Sequence, residues 1–97
     1  MKDQHTKIKG YRDLTQTEID LMNEIKAHAE KTKLLLEKVK EMRIDDNAAL
    51  NNKPEGEING LTQDDLFEST RCLVLAKTNL QQGFMWLVRG VALPQSF

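Results

Sequence analysis

Arg71, Leu75, Thr78, Gln82, Met85 and Arg89 recur at steps of four and three, a spacing that places them along one side of an α-helix. Two guanidiniums, a hydroxyl and an amide on one ridge suit the recognition of phosphate and base edges, because arginine presents fork-like donors to phosphate oxygens. Lys77 falls instead inside an apolar series, between Leu73 and Leu80. A solvated Arg71, and a Lys77 that lays its stem along apolar neighbours, account for the same residues without a ligand. Arg89 is harder to explain in that way. Its neighbours are apolar, and a charge buried without a partner is expensive, so it requires either a carboxylate or a ligand anion.

A second cluster lies near the N-terminus. Gly10-Tyr11-Arg12 sets the only tyrosine beside a guanidinium, just ahead of a helix. A flat ring next to cations can stack a nucleobase while the phosphate is neutralised, and Lys26 projects from the first helix where this arm can lie over it. The other reading is a tyrosine folded onto the helices as a staple, with Lys26 in water. Catalytic chemistry is poorly represented. His5 and His28 have no cysteine or carboxylate at metal-ligand spacing, and no nucleophile elbow, phosphate-cradling glycine loop or HExxH occurs. The carboxylate pairs Asp45-Asp46 and Asp64-Asp65 fall in a loop or at a helix end, where solvation or the helix dipole explains them. The expectation is a binding protein with no metal and no cofactor.

The elements that must hold these residues are helical. Thr15-Gln16-Thr17-Glu18 has the form of a capping box. After it, Met22, Ile25, Ala29, Thr32, Leu36 and Val39 make one apolar stripe, and no Gly or Pro interrupts Thr15 to Ile44. Residues 45–61 are rich in turn formers, including Asn51-Asn52-Lys53-Pro54 and Asn59-Gly60, and predict a connector. Ala48 to Leu50 offer an extension of the first helix. Thr62 caps a second helix whose expected stripe is Leu66, Thr70, Leu73, Lys77, Leu80, Phe84, Leu87 and Val91, closed by Pro94. The organisation predicted is one domain: arm 1–14, helix 15–44, connector 45–61, helix 62–93. The fold class is all-α, an antiparallel two-helix hairpin.

Around Phe84-Met85-Trp86-Leu87-Val88 and Val91-Ala92-Leu93 the second helix is apolar on nearly every side. Such a helix must be covered on every side, which one partner helix cannot do. Other copies of the chain are the expected cover, and Gly83 and Gly90, seven apart, would let helices approach closely. Insertion along a membrane surface would need a lysine- and arginine-rich polar face, which is missing. A chain of 97 residues has little core of its own, so a homo-oligomer is predicted. The net charge of −1, from 14 basic and 15 acidic residues, lacks the basic excess of a protein that coats DNA or RNA. One cysteine, Cys72, and an N-terminus without an apolar signal core point to a soluble, cytoplasmic protein.

Two blocks carry a family resemblance. Ile8-Lys9-Gly10-Tyr11-Arg12-Asp13-Leu14 with Glu18-Ile19-Asp20-Leu21-Met22-Asn23-Glu24-Ile25-Lys26 resembles the opening of phage anti-CBASS cyclic-nucleotide sponges, a group that extends to Thoeris anti-defence sponges. The stretch from Ala76 to Pro94, which contains Lys77-Thr78-Asn79-Leu80-Gln81-Gln82-Gly83-Phe84-Met85-Trp86, resembles that family's second helix. Residues from about Thr32 to Leu66 show no family motif. The resemblance implies a compact homo-oligomer, typically a hexamer, of helical hairpins. It would bind cyclic dinucleotides such as cyclic GMP–AMP, and in many members cyclic trinucleotides at a separate site, without cleaving them. It further implies that Tyr11, beside Arg12, stacks on a base and that Lys26 stands near the dinucleotide phosphates. A second protomer completes that pocket, with Arg71 or Lys77 as its contact, while Arg89 with Lys77 or Thr78 serves the trinucleotide. Two departures bear on selectivity: His28 stands where some relatives carry a hydroxyl residue, and Lys77 replaces an arginine, which weakens a bidentate phosphate contact. Two further function classes compete: a helical adaptor that grips a host protein through its apolar C-terminal helix, and a small phosphodiesterase.

Overall fold

The structure, a computed structural model, describes residues 13–53 and 56–94. Two helices account for most of them: α1, Gln16–Asn51, and α2, Gln63–Ala92. The α1 start is a reciprocal cap. The Glu18 N–H donates to Thr15 Oγ1 at 3.1 Å, and the Thr15 N–H donates to Glu18 Oε1 at 2.8 Å, which satisfies two amides that helix geometry leaves without partners.

The helix continues to Asn51 rather than ending at Ile44. Asp45 and Asp46, placed above in the connector, are carried inside it because Asp46 pairs with Arg43 one turn earlier at 2.7 Å. Leu50, one turn further on, is among the few buried residues. A local turn preference of a few tenths of a kcal/mol per residue yields to burial and pairing of this kind. Tighter turns close the helix, with Asn52 N–H on Ala49 C=O and Lys53 N–H on Leu50 C=O.

The connector contains a two-residue turn. Ile58 and Leu61 exchange backbone hydrogen bonds of 3.0 and 2.8 Å, and Asn59 and Gly60 between them have φ of 54° and 78°. Two consecutive positive values define the primed turn that Asn-Gly favours. Next, Thr62 caps α2 by accepting from the Asp65 N–H at 3.3 Å, while the Thr62 N–H donates to Asp65 Oδ2 at 2.9 Å. At the other end Leu93, with φ of 43°, donates its N–H to the Arg89 carbonyl at 2.8 Å, a left-handed cap.

The chain divides into two compact units. The first combines α1 up to Glu30 with α2 from Gln81 onward. Met22, Ile25 and Ala29 are half-buried there, as are Phe84, Val88 and Val91, and Ala92 is buried. The second unit, Lys31–Leu80, contains the hairpin turn. Thr32, Leu36, Val39 and Arg43 on α1 and Ser69, Leu73 and Ala76 on α2 are half-buried, with Leu50 and Leu66 buried. The Gln63 amide donates to Asn47 Oδ1 at 3.1 Å and ties the two helices together near the turn.

The α1 stripe is as the spacing predicts. That of α2 is rotated. Thr70, Lys77, Leu80 and Leu87, expected to face inward, are exposed, and Ser69, Ala76 and Val88 are half-buried instead. The small side chains of Ser69 and Ala76 suit the seam of a close helix pair, whereas a lysine there would bring a charge that needs desolvation. Among the described residues only Leu50, Leu66 and Ala92 are buried, and no side chain is fully enclosed.

Candidate functional site

Arg71, Leu75, Thr78, Gln82, Met85 and Arg89 are all exposed, so the ridge read from their spacing faces outward along α2. Arg71 is already engaged: its Nε and Nη2 donate to the two carboxylate oxygens of Glu68, one turn earlier, at 3.2 and 2.9 Å. This fork holds the Glu68 carboxyl below its usual range, first through the hydrogen bond and then through charge, and raises Arg71 in return. The pair is solvent-exposed on both sides. It is therefore a weak tether that an incoming phosphate can replace. Cys72 is free and exposed, with its thiol directed to Glu68 Oε2 at 3.7 Å.

Arg89 does not occupy the enclosed position expected of it. It is exposed in the last turn of α2, because the apolar residues around it are themselves uncovered: Met85 is 69% exposed, Trp86 68% and Leu93 61%. A Cβ placed on Gly83 or Gly90 would meet no described atom within 4 Å, so the close approach these glycines permit is not made within the chain.

Lys26 and His28 are exposed on α1 and belong to the first unit with Arg89. Arg71, Lys77 and Thr78 belong to the second. Tyr11 and Arg12, expected above to form a stacking platform and its cation, lie outside the described residues. Among the described residues no group of three or more His, Cys, Asp or Glu is arranged to hold a metal ion. No described helix is long and apolar enough to cross a membrane.

Sequence reasoning missed Arg43. It is one of several residues lining a groove of about 390 Å³ inside the Lys31–Leu80 unit. The signal was present in its position: Arg43 falls four residues after Val39, in register with the apolar stripe.

These features define a class: an all-helical hairpin protein with cations exposed on both helices and an uncovered apolar C-terminal segment. The Acb2/Tad1 hairpin domain matches residues 3–92. Anti-CBASS protein 2 of Pseudomonas phage JBD67 is 37% identical over 98% of both chains. The chain belongs to the Acb2/Tad1 hairpin family.

Proposed function

We propose that this chain is a phage anti-defence protein that binds cyclic oligonucleotide immune signals in the host cytoplasm and withholds them, uncleaved, from CBASS effectors. The observation that carries this reading is the end-to-end similarity to an anti-CBASS protein of a Pseudomonas phage. The matched family range, residues 3–92, spans both the arm that contains Tyr11 and the ridge that ends in Arg89. Tyr11, with Arg12, supplies the stacking platform. Lys26 neutralises phosphate, with His28 two residues on, and Arg71 or Lys77 comes from a second copy. Arg89 with Lys77 or Thr78 serves a cyclic trinucleotide.

A sponge must out-compete a receptor, which requires nanomolar affinity, about −12 kcal/mol. Two base stacks at roughly 1–3 kcal/mol each supply up to about half of that, and charge-assisted contacts to the phosphates in a pocket closed by neighbouring copies must supply the rest. Those copies also cover Met85, Trp86 and Leu87, whose exposure in the single chain leaves too little core for stability. We take the assembly to be a hexamer.

The test is retention followed by recovery. Cyclic GMP–AMP incubated with the protein is expected to stay bound through desalting and to return intact after heat denaturation. Linearised nucleotide in the recovered fraction would show a phosphodiesterase. No retention of any cyclic di- or trinucleotide would remove the sponge reading and favour the adaptor, which rests on the same uncovered apolar segment.

A further inference from the structure

The Lys31–Leu80 unit carries a groove of which the cyclic-nucleotide reading uses only Lys77. Its volume is about 390 Å³, within the roughly 300–1,000 Å³ of small-molecule sites. Leu36, Phe67, Leu73 and Val74 give it apolar walls. Three cations, Lys40, Arg43 and Lys77, also line it, and no carboxylate does. In a chain of net charge −1, this is a local concentration of positive charge beside apolar surface, where screening by water is reduced.

Arg43 gives the groove its direction. Its Nη1 donates to Asp46 at 2.7 Å, which fixes one edge of the guanidinium. Its Nε is buried and has no hydrogen-bond partner among the described residues. A buried donor left without an acceptor is costly, and more so on a charged group. An oxyanion beside Arg43 would supply the missing acceptor, while the apolar walls would take a ring or chain attached to it. The Asn47–Gln63 amide pair, at 3.1 Å, lines the same groove and has further donor and acceptor capacity for polar groups on that body.

We propose that this groove binds a small amphipathic anion of nucleotide-monophosphate size, its aromatic body against the apolar walls and its phosphate on Arg43 and Lys40. Spacing places both cations on one face: positions 36, 40, 43 and 47 of α1 lie on the same side, and so do 63, 66, 70, 73 and 77 of α2. Lys77 lines this groove and is also named for cyclic-nucleotide capture, but Arg43 and Lys40, which hold the phosphate here, take no part in that capture, and Tyr11 and Lys26 take none in this groove.

The test uses the full-length, isotope-labelled protein, with adenosine monophosphate as probe and adenosine as its uncharged counterpart. Adenosine monophosphate is expected to shift the side-chain amide resonances of Asn47 and Gln63 saturably, and adenosine to bind at least about tenfold more weakly. Arg43→Met should weaken the phosphate-bearing probe by a similar factor. Because that change also strips Asp46 of its partner, Lys40→Met is a second variant at an exposed position and should weaken it too. Tyr11→Ala should leave the shifts unchanged while weakening cyclic GMP–AMP binding by the equivalent of one base stack, so the two readings fail separately. Equal binding of the two probes, or shifts that bypass Asn47 and Gln63, would overturn the proposal. So would a folded Lys40→Met protein that binds as tightly as the parent.

Discussion

A cation held by a carboxylate must exchange that partner before it can meet a phosphate. Arg71 is in this position, forked onto Glu68 at 3.2 and 2.9 Å, whereas among the described residues no ion pair engages Lys26, Lys77 or Arg89. Glu68 has a lowered pKa, so the ion pair is fully formed above the ordinary carboxylate range and is lost as pH falls through the lowered value. Arg71→Met should raise the Glu68 midpoint toward the ordinary carboxylate range, which carboxyl NMR titration will read directly. The residue on which the ligand reading turns is Tyr11. Its replacement by alanine should weaken cyclic GMP–AMP binding about 5- to 150-fold, the equivalent of one base stack. An unchanged dissociation constant by calorimetry would take the tyrosine out of the site.

At the scale of the elements, each helix is set by short signals at its ends. Thr15 and Thr62 each accept a backbone N–H three residues on. Thr15→Ala should lower the unfolding free energy by about 1 kcal/mol, measurable by denaturant titration. Gly60 makes a different contribution. A Cβ there would meet no described atom within 4 Å, yet φ is +78°, so the cost of Gly60→Ala is conformational strain, about 1–2 kcal/mol. Ala at Asn59 should be comparably unfavourable, since φ is positive there as well. If the primed turn sets how the chain re-enters α2, both changes should lower stability without altering ligand affinity.

For the whole molecule, what matters is what the single chain leaves uncovered. Only three of the described residues are buried, whereas Leu35, Phe67, Met85 and Trp86 are each more than 60% exposed. At roughly 25 cal/mol per Å² of apolar surface, covering such side chains is a large driving force for association. Sedimentation or mass photometry of the purified protein should therefore find an assembly, and Trp86→Glu should dissociate it by placing a charge where an apolar contact is needed. A Trp86→Glu protein of unchanged mass would mean that the segment serves a foreign partner or none.

Much of the molecule was legible in its residues alone. Thr15-Gln16-Thr17-Glu18 and the α1 stripe from Met22 to Val39 are local patterns, and local patterns decide where a helix starts and which side it buries. The outward ridge from Arg71 to Arg89 followed from the same period. What the residues could not settle was decided between elements. The end of α1 moved to Asn51 because Arg43 met Asp46 and Leu50 found cover. The seam of α2 turned toward Ser69 and Ala76, which left Lys77 exposed at the groove that Leu36 and Arg43 also line. Spacing reports a helix's own period and carries no record of how closely a second helix will approach. The burial of the Arg43 Nε, and the groove around it, became visible only when both helices were in place.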